Sequence, residues 1–175
     1  MKPSALLRRS LVLLACLLPA AAGATERVLH APENSLLAAE LLGVEPLPGT
    51  DLALIALAVA GKQLSMFTGL NEAAAILRAQ SNQRPERPQT HELLESALRS
   101  AGWQVKRVVV DRLDASGNFH AAIELVDEAG EIRWLDCRPS DGIALALRAA
   151  ARLYVAETVL KSAGGPEPAA PQIST

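Results

Sequence analysis

The run Asp136-Cys137-Arg138-Pro139-Ser140-Asp141 puts two carboxylates and a guanidinium within six residues. The pattern predicts that a strand ends here and a helix begins. The first backbone N–H groups of a helix lack partners inside it, and its dipole is positive there, so the corner favours anions. Pro139 suits the first helical position, where its missing N–H costs nothing. Two uses fit these residues. They can carry chemistry, or Arg138 and the aspartates can simply cap the helix and pair with one another. Asp136 and Arg138 alternate along the strand and so are expected to share a face, as an ion pair would need.

The elements around this corner follow from pattern. Helical residues Leu36, Leu37, Ala39, Glu40 and Leu41, stopped by Gly43, predict a helical lead-in over 25–45. Leu52 to Ala60 is an apolar run that fits a buried strand or a helix. The turn at Gly61-Lys62 and the strand-like Gln63 to Thr68 favour a hairpin. A helix follows Gly69. Ser81 to Gln89, with Pro85 and Pro88, is the clearest internal loop. Thr90 can cap the next helix, with His91 at its second position, Glu92 in its first turn and Gly102 beyond its end. From Trp103 to Cys137 three β-rich stretches are separated by Ala115-Ser116-Gly117-Asn118 and by Asp127 to Gly130. That predicts an antiparallel meander running into the helix at Pro139. In strict alternation Trp103, Val105, Arg107, Val109 and Asp111 share one face. A short strand at Leu153-Tyr154-Val155 and a helix to Ala163 complete the domain over 46–163. Residues 164–175, with three prolines and no apolar period, read as a disordered tail. The class is α+β, a mostly antiparallel sheet covered by helices.

Composition narrows the function. Aromatic residues are 3% of the 175, so the core is aliphatic. Lys2, Arg8 and Arg9, then apolar Leu11 to Leu18, then Ala22-Gly23-Ala24, read as an export signal over 1–24. Its loss leaves 14 basic against 19 acidic residues, a net charge of −5, which excludes a generally basic surface for gripping nucleic acid. The mature protein is expected to be periplasmic or secreted, without a transmembrane segment. Cys16 sits where a lipoprotein would be acylated, but the apolar residues after it fit soluble export better. Cys137 is then the sole cysteine, and no disulfide can form within the chain. No cysteine-hydrolase, zinc-site or nucleophile-elbow signature is present.

Several segments together resemble the bifunctional nuclease (BFN) domain family. Gly61 to Gly69 with Glu72-Ala73-Ala74-Ala75-Ile76 resembles its strand-Gly-helix opening. Arg87-Pro88-Gln89-Thr90-His91-Glu92-Leu93-Leu94 resembles its Arg-Pro-x-Thr-His-Asp/Glu-Leu-Leu motif. Asp136 to Ala146 resembles Asp-Ala-Arg-Pro-Ser-Asp-Ala-Ile-Ala-Leu-Ala, and Tyr154 to Leu160 resembles its closing segment. Cys137 and Gly142 replace alanines of the family pattern, and Phe119-His120 replaces Phe-Tyr. The resemblance implies RNase and DNase activity, assigned chiefly to plant members, and a homodimer or higher homo-oligomer. The site it implies has catalytic His91, Asp136, Arg138 and Asp141. Arg138 and Ser140 would meet the substrate, although helix capping also accounts for Ser140. Mg²⁺ or Mn²⁺ would suit Asp136 and Asp141. His91 would be the acid or base, which requires its helix to start beside the Asp136–Asp141 corner. His120 reads as a surface or edge residue. The rival function is a non-catalytic envelope module that uses the same polar corner to hold the fold or a subunit interface. A third is a small-ligand or anion-binding domain.

Overall fold

The structure, a computed structural model, describes residues 27–163. The chain runs β1 (Leu36–Pro46), β2 (Leu52–Val59), β3 (Lys62–Gly69), α1 (Leu70–Gln80), α2 (Thr90–Ser100), β4 (Gln104–Leu113), β5 (Phe119–Val126), β6 (Ile132–Cys137), α3 (Pro139–Arg148), β7 (Arg152–Ala156) and α4 (Glu157–Ala163). The strands form one seven-stranded sheet in the order β3-β2-β1-β7-β4-β5-β6. All neighbours are antiparallel except β4 and β7. The α+β sheet-and-helix class expected from sequence is the class observed. The segments read from sequence as an export signal, 1–24, and as a disordered tail, 164–175, lie outside the described residues.

The helix expected over 25–45 is not what the chain forms there. A 3-10 turn at Glu33–Ser35 leads into strand β1. Leu36 to Ala39 pair with Ala156 to Leu153 of β7, so a partner more than a hundred residues away overrides a weak helical preference. The central strand β7 joins two meanders, β1-β2-β3 and β4-β5-β6. Each meander ends in a helix, α1 or α3, and these two helices pack against each other.

The alternation expected along β4 also fails. Register shifts between Val105 and Arg107 and between Val110 and Arg112 interrupt it, and Val108, Val109, Val110 and Asp111 are all buried. Such bulges re-aim side chains. Asp111 ends up 1% exposed. Arg27 neutralises it through two hydrogen bonds, 2.7 and 2.8 Å, and the His30 backbone N–H donates a third of 2.7 Å. The pair holds the Arg27 pKa above its ordinary value, chiefly through the hydrogen bond to Asp111. A second cluster, Arg107 with Glu33 and the buried Glu124, fastens the 3-10 turn to the sheet. Polar pairs therefore anchor the segment before β1.

Helix α3 packs closely against β4. A Cβ built at Gly142 would come 2.7 Å from Val108 Cγ1 and 3.1 Å from Cys137 Sγ. Two departures from the pattern that the sequence resembles, Cys137 and Gly142, are thus neighbours: a larger side chain at one faces an absent one at the other.

Two outcomes are expected. Gly142→Ala gains about 1 kcal/mol of helix propensity but meets overpacking of about 1–3 kcal/mol, so urea unfolding should register a net loss. Adding Cys137→Ala should recover part of that loss; strict additivity of the two changes would contradict the contact. Arg27→Met should cost about 3 kcal/mol, because Asp111 stays buried without its cation. Combining it with Asp111→Leu should cost less than Arg27→Met alone.

Candidate functional site

The β6–α3 corner is built as a cap. Arg138 is the N-cap of α3, Pro139 the first helical residue, and Asp141 lies in the first turn. The Asp141 carboxylate accepts from Arg138 Nε at 2.8 Å and from Arg138 Nη2 at 3.2 Å. Arg138 Nη2 also donates to Glu72 Oε1 of α1 at 3.0 Å. These contacts raise the Arg138 pKa, with the Asp141 hydrogen bond the main cause. Gly69 makes room for Glu72: a Cβ there would lie 2.5 Å from Glu72 Oε2.

His91 reaches the same carboxylate. Its Nε2 is 3.2 Å from Asp141 Oδ1. An ionised carboxylate only accepts, so the hydrogen bond places the proton on Nε2. Nδ1 then has no hydrogen-bond partner among the described residues. The helix carrying His91 is held by its neighbour as well. Glu92 pairs with Arg148 of α3, and its carboxylate accepts from the Gln89 N–H at 3.1 Å. No α2 residue is fully buried; Leu98 is its apolar contact with the core. Two consecutive residues, His91 and Glu92, therefore dock α2 on α3 by charge and hydrogen bonding.

The corner separates two clefts, and Arg138 lines both. The smaller, about 400 Å³, lies between α1, the start of α2 and the corner; Glu72, Arg78, His91 and Asp141 line it. The larger, about 990 Å³, is lined by Met66 and Phe67 of β3, Phe119 and His120 of β5, and Asp136 and Ser140. The sheet curls enough for its β3 edge and its β5–β6 side to share this cleft.

This division splits the expected site. His91, Arg138 and Asp141 come together; Asp136 does not join them. Asp136 Oδ1 accepts from Arg27 Nε at 2.8 Å, beside Asp111. The shared strand face that would allow an Asp136–Arg138 ion pair is not formed, because β6 stops at Cys137 and Arg138 already has helix-cap geometry. Asp136 and Asp141 face different clefts, each paired with an arginine. Among the described residues no three His, Cys, Asp or Glu side chains converge on one point. This donor set does not fit a Mg²⁺ or Mn²⁺ ion held between Asp136 and Asp141. Ser140 is buried at the second helical position and caps nothing: α3 has no side-chain capping bond.

The remaining candidates have structural partners. His120 Nε2 lies 3.0 Å from Asp114 Oδ2, and Arg112 Nη2 lies 3.1 Å from His120 Nδ1. Asp114 is held well below the usual carboxylate range, first by His120 and then by the Asn118 backbone N–H. Burial pushes the Cys137 thiol up to about 12, with the Asp141 and Asp136 charges adding to it. A thiol so raised is no nucleophile near neutral pH. Sequence reasoning did not single out Glu72, Arg78 or Arg27 as site residues. Glu72 stood in the strand-Gly-helix motif; Arg78 and Arg27 carried no local signal.

Comparison with known proteins agrees with this architecture. Two Mycobacterium tuberculosis proteins, "Uncharacterized protein MT1877" of strain CDC 1551 / Oshkosh and "Uncharacterized protein Rv1829" of strain ATCC 25618 / H37Rv, are each 36% identical over 103 residues. The matched stretch is 59% of this chain and spans 60% of the length of those relatives. A family model described as "Bifunctional nuclease domain" matches residues 55–168, from β2 through α4 and every side chain of the smaller cleft, and the chain belongs to that family.

Proposed function

We propose that the protein hydrolyses phosphodiester bonds of RNA or DNA in the cell envelope, after export directed by residues 1–24. The observation that carries this reading is the Asp141–His91 pair at the mouth of the smaller cleft. A carboxylate on one ring nitrogen orients the imidazole and leaves the other nitrogen to take or give a proton. In this reading His91 Nδ1 handles the proton, Asp141 positions the ring, and Arg138 holds Asp141 while offering Nη1 to a phosphate oxygen. No step is assigned to a metal ion. Both phenylalanines of the chain, Phe67 and Phe119, line the larger cleft on the far side of Arg138. They suit a base of the strand whose phosphate sits at the corner. Exposed Ile132 and Leu135 on the β6 edge of the sheet suit a homo-oligomer. Among the described residues no helix is long and apolar enough to cross a membrane.

A specific observation favours the rival reading of a non-catalytic envelope module. Glu72, Asp141 and Asp136 are all ion-paired, as scaffolding residues would be.

Hydrolysis of single-stranded RNA and DNA by the purified mature protein separates the two. With Mg²⁺ or Mn²⁺ present, His91→Ala is expected to lower the rate about 10²–10⁴-fold, and Asp141→Asn to lower it too. Asp136→Ala is expected to lower it less than His91→Ala. Equal cleavage by wild type and His91→Ala would assign the activity to a contaminant and leave the scaffold reading. The same assay in EDTA reads any cation requirement. A requirement abolished by Asp141→Ala but kept in Asp136→Ala would put the ion in the smaller cleft.

A further inference from the structure

The smaller cleft has a charge balance that points to one residue. Its ionisable lining groups are Glu72, Arg78, His91, Arg138 and Asp141. Glu72 and Asp141 bring two negative charges and Arg138 one positive, a net −1 that would repel an anion. Arg138 is already committed, with Nε and Nη2 donating to those two carboxylates. Arg78 brings the balance to zero, and a protonated His91 would make it +1. The starts of α2 and α3, helices of 11 and 10 residues, add their positive dipole ends at the same place.

Arg78 differs from its neighbours in having nothing to bind. Its buried Nε has no hydrogen-bond partner among the described residues, a feature it shares with Arg148 Nε, so the difference lies in the missing carboxylate. Among the described residues its guanidinium forms no ion pair, whereas Arg138 has Glu72 and Asp141 and Arg148 has Glu92. A cation in the last turn of α1 suits the helix dipole. That accounts for the charge at this position, but not for a cleft-lining guanidinium left without a carboxylate among the described residues when both neighbouring arginines have one.

We infer that the smaller cleft binds a phosphate group and that Arg78 is its principal contact, with Arg138 acting mainly to position Asp141. The inference rests on the phosphodiester reading for what carries the phosphate; binding of the anion itself does not. A guanidinium with free N–H groups can fork onto two phosphate oxygens, and a lysine at the same place cannot.

The test is calorimetric titration of the mature full chain with inorganic phosphate at constant ionic strength. Wild type is compared with Arg78→Met, Arg78→Lys and Arg84→Met, the last on the exposed loop before α2. Thermal unfolding of each variant monitors the fold. Arg78→Met is expected to weaken phosphate binding by about tenfold or more, and Arg84→Met to leave it unchanged. If the Met variant fails to fold, Arg78→Lys decides: several-fold weaker binding supports the assignment. Unchanged affinity in a folded Arg78 variant overturns it, as does absence of binding to wild type at millimolar phosphate. On nucleic acid, Arg78→Met should raise KM more than it lowers kcat. Cleavage that persists with phosphate binding indifferent to Arg78 removes the Arg78 assignment and keeps the hydrolase. Phosphate bound through Arg78 without any cleavage keeps the anion site and removes the hydrolase.

Discussion

Asp141 accepts hydrogen bonds from Arg138 and His91, and through them it gathers three parts of the chain. Arg138 brings in α1 by way of Glu72, and His91 brings in α2. The dependence is strongest for α2, which buries no residue fully and so cannot rely on apolar packing for its place. Charge-assisted hydrogen bonds supply direction that packing would not. They are also open to screening: Arg138 is two-thirds exposed, with a side-chain relative accessibility of 66%. The deeper Glu92–Arg148 pair, more shielded from water, steadies the helix next to the imidazole. The candidate site and the packing of α2 are therefore one set of contacts.

The sheet makes this meeting possible. Strand β7, last in the chain, occupies the centre and leaves β3 and β6 as the two edges. Each edge strand feeds a helix, so α1 and α3 start from opposite edges and cross over the same core. Close approach of α3 to β4 needs the missing side chain at Gly142. The Arg27–Asp111–Asp136 network fixes the last residues of β6, on the strand side of the corner. Both sides of the corner are thus held by arginine–carboxylate pairs, and this is why the two aspartates of one short motif serve different clefts.

Local chemistry made much of this legible from sequence. Pro139 after a β-rich stretch marked the start of α3. Gly117 and Gly130, both with positive φ, marked the turns of the meander. His91 was recognisable as the imidazole of a helix start. What stayed hidden depends on partners distant in sequence. Leu36 to Leu41 have helical residues but pair with β7. Asp136 alternates with Arg138, yet its partner is Arg27, 109 residues earlier. Arg78 sits in an ordinary helical pattern, and only the folded chain turns it towards the cleft. The strict alternation read along β4 failed because bulges leave no periodic signal.

The central claim is that Asp141 fixes the His91 ring with its proton on Nε2 and leaves Nδ1 free. Long-range proton–nitrogen NMR of ¹⁵N-labelled protein reads this directly. At a pH where the imidazole is uncharged, the ring proton is expected on Nε2, as a slowly exchanging N–H that disappears in Asp141→Ala. A ring protonated at Nδ1, or an Nε2–H signal indifferent to Asp141→Ala, would contradict it.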